Sequence, residues 1–277
     1  MARPDAEPDR AGGNSDTYDG DTYDVDDAAL ASTSELSPPR VMCAADALDF
    51  LTHAELTVEG QLVDASNATL YVGAEHDGVR AAAVYKPVSG ERPLWDFPDG
   101  TLAEREVAAY TVSAASGWEV VPPTVLRDGP FGPGMVQLWI DVDERVDVRS
   151  LVRRDAEILR PVAVLDAIIN NADRKGGHLL PTASGHLYGI DHGVCFNADE
   201  KLRTVLWGWA GQPLSAAETE VVGRLRADLD GALGDALSAL LTVTEVRRTR
   251  RRADRLLATA RFPQPSDRWP PVPWPPF

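Results

Sequence analysis

The chain has 277 residues, of which 44% are hydrophobic and 25% charged, and its formal net charge is −16. This content suffices for a two-lobed domain, or two small domains, with a real core. The apolar runs are shorter than the roughly 20 residues that span a bilayer, no secretion signal is apparent, and the acidic balance disfavours nucleic acid as a partner. We therefore expect a cytoplasmic protein.

The two ends of the chain differ in composition from its middle. The first 40 residues carry ten acidic side chains against three arginines and few large apolar groups, so residues 1–40 are expected to be a disordered acidic tail. One domain is expected over 41–262, followed by a Pro-rich, extended tail over 263–277. The two cysteines, Cys43 and Cys195, are too few for a disulfide framework, which fits a reducing compartment.

The first part of the domain has the pattern of a small antiparallel lobe, over residues 44–141. Runs of β-favouring residues between turn residues predict five strands, at 55–63, 69–74, 79–86, 120–126 and 135–140. Helices are expected at 44–53 and 101–116. In the second helix, Thr101 is the candidate N-cap and Glu104 lies in the first turn.

After a polar connector at 141–148 the pattern becomes helical, which predicts a second lobe over 149–262. Apolar residues at helical spacing predict its first helix, namely Ile158, Val162, Leu165 and Ile169. Pro161 either opens or kinks this helix. A short hairpin and two or three helices within 215–260 follow. The sequence thus predicts the α+β class, with a small lobe of sheet plus one helix and a mostly helical second lobe.

Two acidic residues near the middle of the chain have the spacing of a phosphate-transfer site. An Asp-Arg loop after a helix, then a hairpin, then an apolar residue and Asp-x-Gly is how kinase-type folds place two acids around ATP. Asp173 is the candidate catalytic residue that takes the proton of an acceptor hydroxyl. Asp191, 18 residues further on, is the candidate metal ligand. Either Asp alone would be an ordinary turn residue.

Lysine is rare in this chain, with three lysines against 24 arginines, and two of the three fall near these motifs. Lys86 ends the third predicted strand, where a kinase lysine reaches the phosphates of ATP and pairs with a helix glutamate. Glu106 is the better candidate for that partner, since Glu104 is a first-turn charge. The alternative is that Lys86 is a surface charge at a strand end.

His178 and Lys175 complete the candidate catalytic set. His178 lies five residues after Asp173, where kinases carry the Asn that ligates a second Mg²⁺. Imidazole suits softer metals, so His178 ligates a metal, donates to phosphate or simply packs. Lys175 either neutralises the transferring phosphoryl group or is solvated. A metal-hydrolase site of His178, Asp191 and His192 is a further alternative, which the lack of a helical His pair disfavours.

Seven segments of the chain resemble, in order, the phosphatidylinositol 3-/4-kinase-like family, and most closely the type II phosphatidylinositol 4-kinases. They are VYKP at 84–87, REVAAY at 105–110, VPPTV at 121–125, MVQLWI at 135–140, VLDAIINNADRKGGH at 164–178, GIDHGVCF at 189–196 and LWGWAGQPLS at 206–215. A bacterial branch common in actinobacteria fits the Arg- and Ala-rich composition. HipA-type kinases share the general Asp-Arg loop.

This resemblance implies a two-lobed protein-kinase-like fold that binds ATP with Mg²⁺ or Mn²⁺ in the cleft. It implies that Leu138, Trp139 and Ile140 contact adenine and that Ser66 and Asn67 belong to the phosphate-covering loop. The family's Asn is replaced by a histidine at 178. The Cys-rich palmitoylation segment of the eukaryotic enzymes is missing, so membrane anchoring is not implied.

The function expected from the sequence is ATP-dependent transfer of the γ-phosphate to a hydroxyl of a lipid, small molecule or protein. The alternative is a catalytically weak or inactive nucleotide-binding pseudokinase with a regulatory role, and AMP transfer would use the same pocket. An arginine run at 247–255 is either a solvated helix face or a patch for anionic lipid. In the second case Trp207, Trp209 and the aromatic residues of the tail would lie at the membrane surface.

Overall fold

The structure is a computed structural model that describes residues 43–62 and 67–277. Two helices and five strands form the small lobe: α1 (Ala44–His53), β1 (Glu55–Gln61), β2 (Leu70–His76), β3 (Val79–Pro87), α2 (Leu102–Ser116), β4 (Thr124–Gly129) and β5 (Gly132–Leu138). The strands pair antiparallel in the order β1-β2-β3-β5-β4. Strand β3 is therefore in the middle of the sheet.

The two faces of β3 have different roles. Ala81, Ala83 and Tyr85 are buried and pack against Phe50 of α1 and its apolar neighbours. Successive side chains of a strand point to opposite faces. Lys86 therefore projects from the face opposite Tyr85, toward α2. The alternation that builds the core of this lobe also directs the only lysine of the sheet into the space between the lobes.

Helix α2 begins in a way that the sequence did not predict. Thr101 occupies the N-cap position, but its hydroxyl donates to the carbonyl of Pro98 at 2.8 Å and caps nothing. The N–H groups of Leu102 and Ala103 donate instead to the carboxylate of Glu91, at 3.1 and 2.8 Å. An acidic group here also interacts favourably with the helix dipole. The cap comes from eleven and twelve residues upstream of the groups that it binds, beyond the reach of a local capping pattern.

The second lobe is mostly helical. Its elements are α3 (Val148–Arg153), α4 (Arg160–Ile169), the hairpin strands β6 (Leu179–Pro181) and β7 (Leu187–Gly189), α5 (Ala216–Asp228), α6 (Ala232–Ser238) and α7 (Val243–Thr259). Pro161 lies in the first turn of α4, so it opens the helix rather than kinking it. Ile158 was expected in this helix but lies in a preceding 3-10 turn and is 40% exposed.

Most of the predicted bounds are correct to within a few residues, with one larger difference. The strand expected at 120–126 begins only at Thr124, because Val120 and Val121 pack into the core of the second lobe. The same core includes Ala108, Ala109 and other residues of α2. Helix α2 therefore packs against the second lobe as well as the sheet, and it places Glu106 between them.

The architecture is α+β, with a small lobe of antiparallel sheet and a mostly helical second lobe, which confirms the predicted two-lobed kinase-like fold. The expected acidic tail at 1–40 lies outside the described residues. Residues 263–277 contain no helix or strand, as expected for an extended Pro-rich tail, and they pack against the second lobe. None of the helices in the described parts of the chain is long and apolar enough to cross a membrane.

Candidate active site

Lys86, Glu106 and Asp191 meet between the two lobes. The ammonium of Lys86 donates to Glu106 Oε1 at 2.6 Å and to Asp191 Oδ1 at 3.0 Å. The second oxygen of Glu106 accepts the backbone N–H of His192 at 2.7 Å. Glu106 is almost fully buried, whereas the Asp191 side chain is 42% exposed. The structure thus contains the Lys86–Glu106 ion pair expected from the sequence and links it to the second lobe.

The charges of this cluster stabilise one another. Burial lowers the pKa of Lys86, but Asp191 and Glu106 more than offset it, so the pKa lies above its ordinary value. The Lys86 ammonium is the main reason why the pKa of Asp191 lies well below its usual range. An opposite charge at this distance favours the charged form of each group. At neutral pH the cleft therefore contains a fixed ammonium and a fixed carboxylate.

The Asp173 loop, residues 170–178, begins where α4 ends. Asn170 ends the helix with φ +56°, a left-handed conformation that Asn tolerates. The side chain of Asn171 then accepts the backbone N–H of Asp173 at 2.9 Å, which closes a tight turn. The Asp173 carboxylate lies 3.0 Å from the ammonium of Lys175. Burial raises the pKa of Asp173 although Lys175 opposes the shift.

His178 faces the acidic residues of the cleft. Its Nε2 lies 3.3 Å from Asp191 Oδ2, and its buried Nδ1 has no hydrogen-bond partner among the described residues. Burial lowers the pKa of His178 to about 4, in spite of the nearby carboxylate. The ring is therefore neutral at pH 7. One ligand atom each of Asp173, His178 and Asp191 lie within 4.8 Å of one another, so the three side chains can contact one cation.

Beneath this cluster, Arg174 forms a buried support that sequence analysis missed. Its guanidinium donates twice to the Asp166 carboxylate, at 2.9 Å each, and to the carbonyl of Ile190 at 2.9 Å. The side chains of Arg174 and Asp166 are fully buried. The third contact is with His192 Nε2, at 2.6 Å. An acidic residue within the apolar face of α4 was the available signal for such a pair, because a buried charge requires a partner.

His192 does not face the cleft. Its ring is fully buried, and its Nε2 is already occupied by Arg174. The metal-hydrolase hypothesis required His192 as a third ligand beside His178 and Asp191. That hypothesis is therefore wrong, because the side chains close enough to hold one cation in the cleft are Asp173, His178 and Asp191, and His192 is not among them. His192 instead connects the support under the Asp173 loop to the segment that carries Asp191.

Asp191 has a left-handed backbone conformation, with φ +62°. This region is uncommon for a residue other than glycine, although Asp enters it more readily than most. The hydrogen bond from the next N–H, of His192, to Glu106 holds the conformation. Residues in such conformations are enriched at functional sites, and the metal-ligand candidate is one of them in this structure.

The residues expected to contact adenine lie at the end of β5, alongside β3. Leu138 pairs with Ala83, and the N–H of Trp139 donates to the carbonyl of Ala82 at 3.1 Å. The Trp139 ring meets Tyr71 edge to face at 5.0 Å. Leu138, Trp139 and Ile140 are all partly buried. The stretch 138–140 thus joins the lobes next to the strand that carries Lys86.

Of the two residues expected in the phosphate-covering loop, one lies in the described part of the chain. Ser66 lies outside the described residues. Asn67 accepts the backbone N–H of Arg92 at 2.9 Å, through its side-chain oxygen. It therefore fixes the segment after β3. Its role toward a nucleotide stays a prediction.

The arginine run at 247–255 does not form a single solvated face. Arg252 is buried and donates to the carbonyl of Asn197, and Arg250 donates to a backbone carbonyl at 2.8 Å. Arg247 and Arg251 are exposed. A helix of 3.6 residues per turn distributes such a run around its axis. Part of the run therefore fixes α7 to the lobe, and another part faces solvent.

No protein-family model matches the chain. Two plant proteins named phosphatidylinositol 4-kinase gamma 4 are similar to it, at 27% identity over 203 residues in Oryza sativa subsp. japonica and 31% over 199 residues in Arabidopsis thaliana. These matches cover 59% and 55% of this chain but 36% and 35% of the plant proteins. The chain therefore spans about a third of the length of these two relatives.

Among solved structures, the crystal structure of a Helicobacter pylori proinflammatory kinase, CtkA, aligns with 76% of this chain and 97% of its own. The TM-score is 0.47 and the sequence identity 14%. The distant similarity to kinases comes from the two plant proteins.

A bacterial relative is much more similar. Protein Rv2133c of Mycobacterium tuberculosis (strain ATCC 25618 / H37Rv) is 43% identical over 263 residues, which cover 82% of this chain and 94% of the mycobacterial protein. The match extends over both lobes and so includes the whole cleft between them. The chain belongs to the family of the mycobacterial protein Rv2133c.

Proposed function

We propose that this chain is an ATP-dependent phosphotransferase that transfers the γ-phosphate to a hydroxyl group. The observation that carries the proposal is the meeting of Lys86, Asp173 and Asp191 in one cleft, with Lys86 Nζ at 3.0 Å from Asp191 and His178 close to both acids. Phosphoryl transfer requires little covalent chemistry from a protein, and these are the charges that position and stabilise it. The distant similarity to kinases supports the same class of reaction.

Several residues of the cleft are suited to hold the nucleotide. The Lys86 ammonium is held in place by Glu106, so it presents a fixed positive charge to the phosphates. The partly buried stretch 138–140 offers apolar side chains and backbone groups beside it, which suits an adenine ring. Asn67, with Ser66, is proposed to cover the phosphates from the other side.

The donor set of the cleft fits a divalent cation. Asp191 offers a carboxylate held in its charged form, and His178 offers a neutral imidazole whose Nδ1 has no partner in the described structure. Both are the protonation states that a cation requires. Bound ATP with Mg²⁺ or Mn²⁺ supplies the phosphoryl group and neutralises part of the charge that develops on it. Asp191 and His178 would hold this cation.

Asp173 is proposed to act on the acceptor. Burial raises the pKa of its carboxyl, so the carboxylate is a somewhat better proton acceptor than an exposed one. It would accept a hydrogen bond from the acceptor hydroxyl and take its proton as the new bond forms. Lys175, 3.0 Å from Asp173, keeps the carboxylate oriented, and its ammonium can stabilise negative charge on the transferring group.

One observation favours the second candidate, a nucleotide-binding pseudokinase with a regulatory role. His178 occupies the position where kinases use an amide oxygen for a second Mg²⁺, and an imidazole is a poorer ligand for that ion. The same pocket would also serve AMP transfer. The retained Lys86–Glu106 pair and the two acids favour catalysis, since binding alone does not require Asp173.

The acceptor is a hydroxyl of a lipid, a small molecule or a protein. Exposed Arg247 and Arg251 support peripheral contact with an anionic membrane as part of the proposal. Of the two tryptophans considered for such contact, Trp209 is buried in the core, so it contributes to packing and not to a membrane surface. A cytoplasmic location, where ATP is available, stays a prediction.

The experiment that tests this function uses the full chain with γ-labelled ATP and either Mg²⁺ or Mn²⁺. Hydrolysis and label transfer are followed on the protein itself, on phosphatidylinositol vesicles and on a cell extract. We expect transfer that falls about 10²–10⁴-fold in Asp173→Ala, the range for loss of a catalytic acid or base. The matched control is Asp228→Ala, an exposed acid on α5. ATP binding without transfer would select the pseudokinase, and no ATP binding would overturn both.

A further inference from the structure

The Pro-rich segment, residues 263–277, is fixed to the second lobe by its backbone carbonyls. Pro271 accepts hydrogen bonds from the N–H of Thr204, at 2.9 Å, and from the indole of Trp207, at 2.8 Å. The guanidinium of Arg203 donates to Pro270 at 3.0 Å. Proline has no N–H to donate, but its carbonyl is a full acceptor. The middle of the segment is therefore bound by donors from residues 203–207.

A second anchor joins the segment to the small lobe. The ammonium of Lys201 lies 4.2 Å from the ring centre of Trp269 and 4.3 Å from that of Trp95. Asp96 neutralises this ammonium at 2.5 Å. Cation–π contacts of this geometry are favourable when the cation is buried, as Lys201 is. The contact of Trp269 with Lys201 thus fixes the segment ahead of the residues that contact the Asp173 loop.

The end of the segment lies directly on the Asp173 loop. The N–H of Gly176 donates to the carbonyl of Pro276 at 2.8 Å. The ring of Phe277 covers Gly176 so closely that a Cβ at position 176 would lie 2.0 Å from two ring carbons. Gly176 is not among the residues with positive φ, so space rather than backbone conformation requires glycine. The guanidinium of Arg149 covers the same ring at 4.9 Å.

We propose that Phe277 and Pro276 are positioning residues, which hold the Asp173 loop in the geometry needed for phosphoryl transfer. This inference rests on the proposed function. Gly176 and Gly177 separate Lys175 from His178, and two adjacent glycines give a backbone more freedom than any other pair. A hydrogen bond and an aromatic ring at Gly176 remove that freedom from outside the loop. The backbone positions from which the Lys175 and His178 side chains extend are thereby fixed.

Preorganisation of this kind affects the rate more than nucleotide binding. Lys86 and Glu106 lie on β3 and α2, and the stretch 138–140 lies at the end of β5 and directly after it, whereas Phe277 contacts Gly176 of the Asp173 loop. Loss of the Phe277 contact should leave these residues in place. The part that loosens is the loop that positions the acceptor and the phosphoryl group, where a displacement of 1 Å can cost 10²-fold in rate.

The first test compares Phe277→Ala, Phe277→Tyr and Trp274→Ala in the full chain. Trp274 belongs to the same segment but is 85% exposed, so it is the matched control. We expect Phe277→Ala to lower the rate of label transfer at saturating ATP about tenfold or more, with the KM for ATP changed less than about threefold. Phe277→Tyr, which retains the ring, should restore the rate, and Trp274→Ala should equal the parent protein.

The second readout does not depend on activity. Amide hydrogen exchange of a peptide over residues 174–180 should become faster in Phe277→Ala and stay unchanged in Trp274→Ala, because exchange reports local opening. Gly176→Ala should lower the melting temperature in the parent and much less in the Phe277→Ala background. Contacting residues are expected to couple in this way.

Each result decides the inference. A higher transfer rate in Phe277→Ala would mean that the segment blocks the site, and an unchanged rate would mean that Phe277 contributes only packing. Either result would overturn the proposal that Phe277 positions the Asp173 loop. If the parent transfers no phosphate, the proposed function fails, whereas unchanged exchange at 174–180 or additive effects of Gly176→Ala and Phe277→Ala overturn positioning independently. If an inactive protein showed faster exchange and non-additive melting temperatures, the contact of Phe277 with the loop would be established. The proposed phosphotransferase function would be rejected.

Discussion

Asp166 and Arg174 form a bidentate ion pair in which both side chains are fully buried. Arg174 belongs to the Asp173 loop, and its remaining donors bind the carbonyl of Ile190 and the ring of His192. The pair therefore ties the residue after Asp173 to the residues on both sides of Asp191. The Asp166–Arg174 pair, which does not itself face the cleft, therefore sets the distance between Asp173 and Asp191.

Breaking this pair should destabilise the whole second lobe. Asp166→Asn would leave the Arg174 guanidinium buried without a countercharge, a change that costs about 3–5 kcal/mol. For a chain of this size we expect the melting temperature to fall by roughly 10 °C, measured by differential scanning calorimetry. Asp228→Asn, on the exposed surface of α5, is the control. A shift under about 2 °C would show that the pair contributes little net stability.

Asp191→Asn should remove most of the increase in ATP affinity that a metal ion provides. The substitution retains the shape of the side chain but removes the charge that Lys86 and a cation share. We expect the affinity for ATP in the presence of Mg²⁺ to fall by about tenfold or more, toward the value without metal. Isothermal titration calorimetry with and without EDTA measures this. Asp191 is not a metal ligand if the metal dependence of binding persists unchanged.

His178→Asn should change the preferred metal. Imidazole nitrogen favours a first-row transition metal such as Mn²⁺ over Mg²⁺, whereas an amide oxygen suits Mg²⁺. The ratio of transfer rates with Mg²⁺ and Mn²⁺ should therefore rise in the Asn variant. His178→Ala, which removes both kinds of ligand, should lower both rates. Equal ratios in the parent and His178→Asn would exclude His178 as a ligand.

A prediction about pH concerns Glu218, far from the cleft. Arg160 donates twice to its carboxylate at 2.7 Å each, and the N–H of Ser215 donates at 2.7 Å. Burial raises the pKa of Glu218, but these donors outweigh it, so the pKa lies below the ordinary 4.5. A lowered carboxyl pKa stabilises the fold fully above about pH 4.5, and this stability is lost as the pH falls through the lowered value.

Glu218→Gln should therefore lower the free energy of unfolding by about 1.5–3 kcal/mol at pH 7, the usual contribution of hydrogen bonds to a charged group. The difference from the parent should shrink as the pH falls below 4.5. Urea unfolding at several pH values gives the curve, with the exposed Glu220→Gln on the same helix as control. A difference that is independent of pH would assign the loss to packing.

The sequence predicted best those features that depend on neighbours in the chain. The run of β-favouring residues that ends at Lys86 predicted β3, and the helical spacing through Ile169 predicted α4, because strand composition and burial on one helix face both leave local patterns. The order of the Asp173 and Asp191 motifs predicted that the two residues would approach each other, because a hairpin of fixed length lies between them. Pairing with Glu106 followed from the orientation of α2 against the sheet.

The features that the sequence did not predict all depend on contacts between distant segments. Glu91 caps α2 from a loop, and Asp166 pairs with Arg174 only because the chain turns back after α4. The ring direction of His192, which rules out a ligand role, is set by Arg174 beneath it. The Pro-rich segment had no periodicity that indicated a binding surface, since its carbonyls are held by donors elsewhere. Such contacts leave no local pattern in composition or spacing.

The contact of Gly176 with Pro276 joins residues that are made at different times. About a hundred residues separate them, and at 5–20 residues per second the ribosome needs about 5–20 s to add that stretch. During this interval the lobes can begin to fold with the Gly176–Gly177 pair still uncovered. The geometry of the Asp173 loop is thus completed only after residue 276 has been made, at least this interval after Gly176 itself.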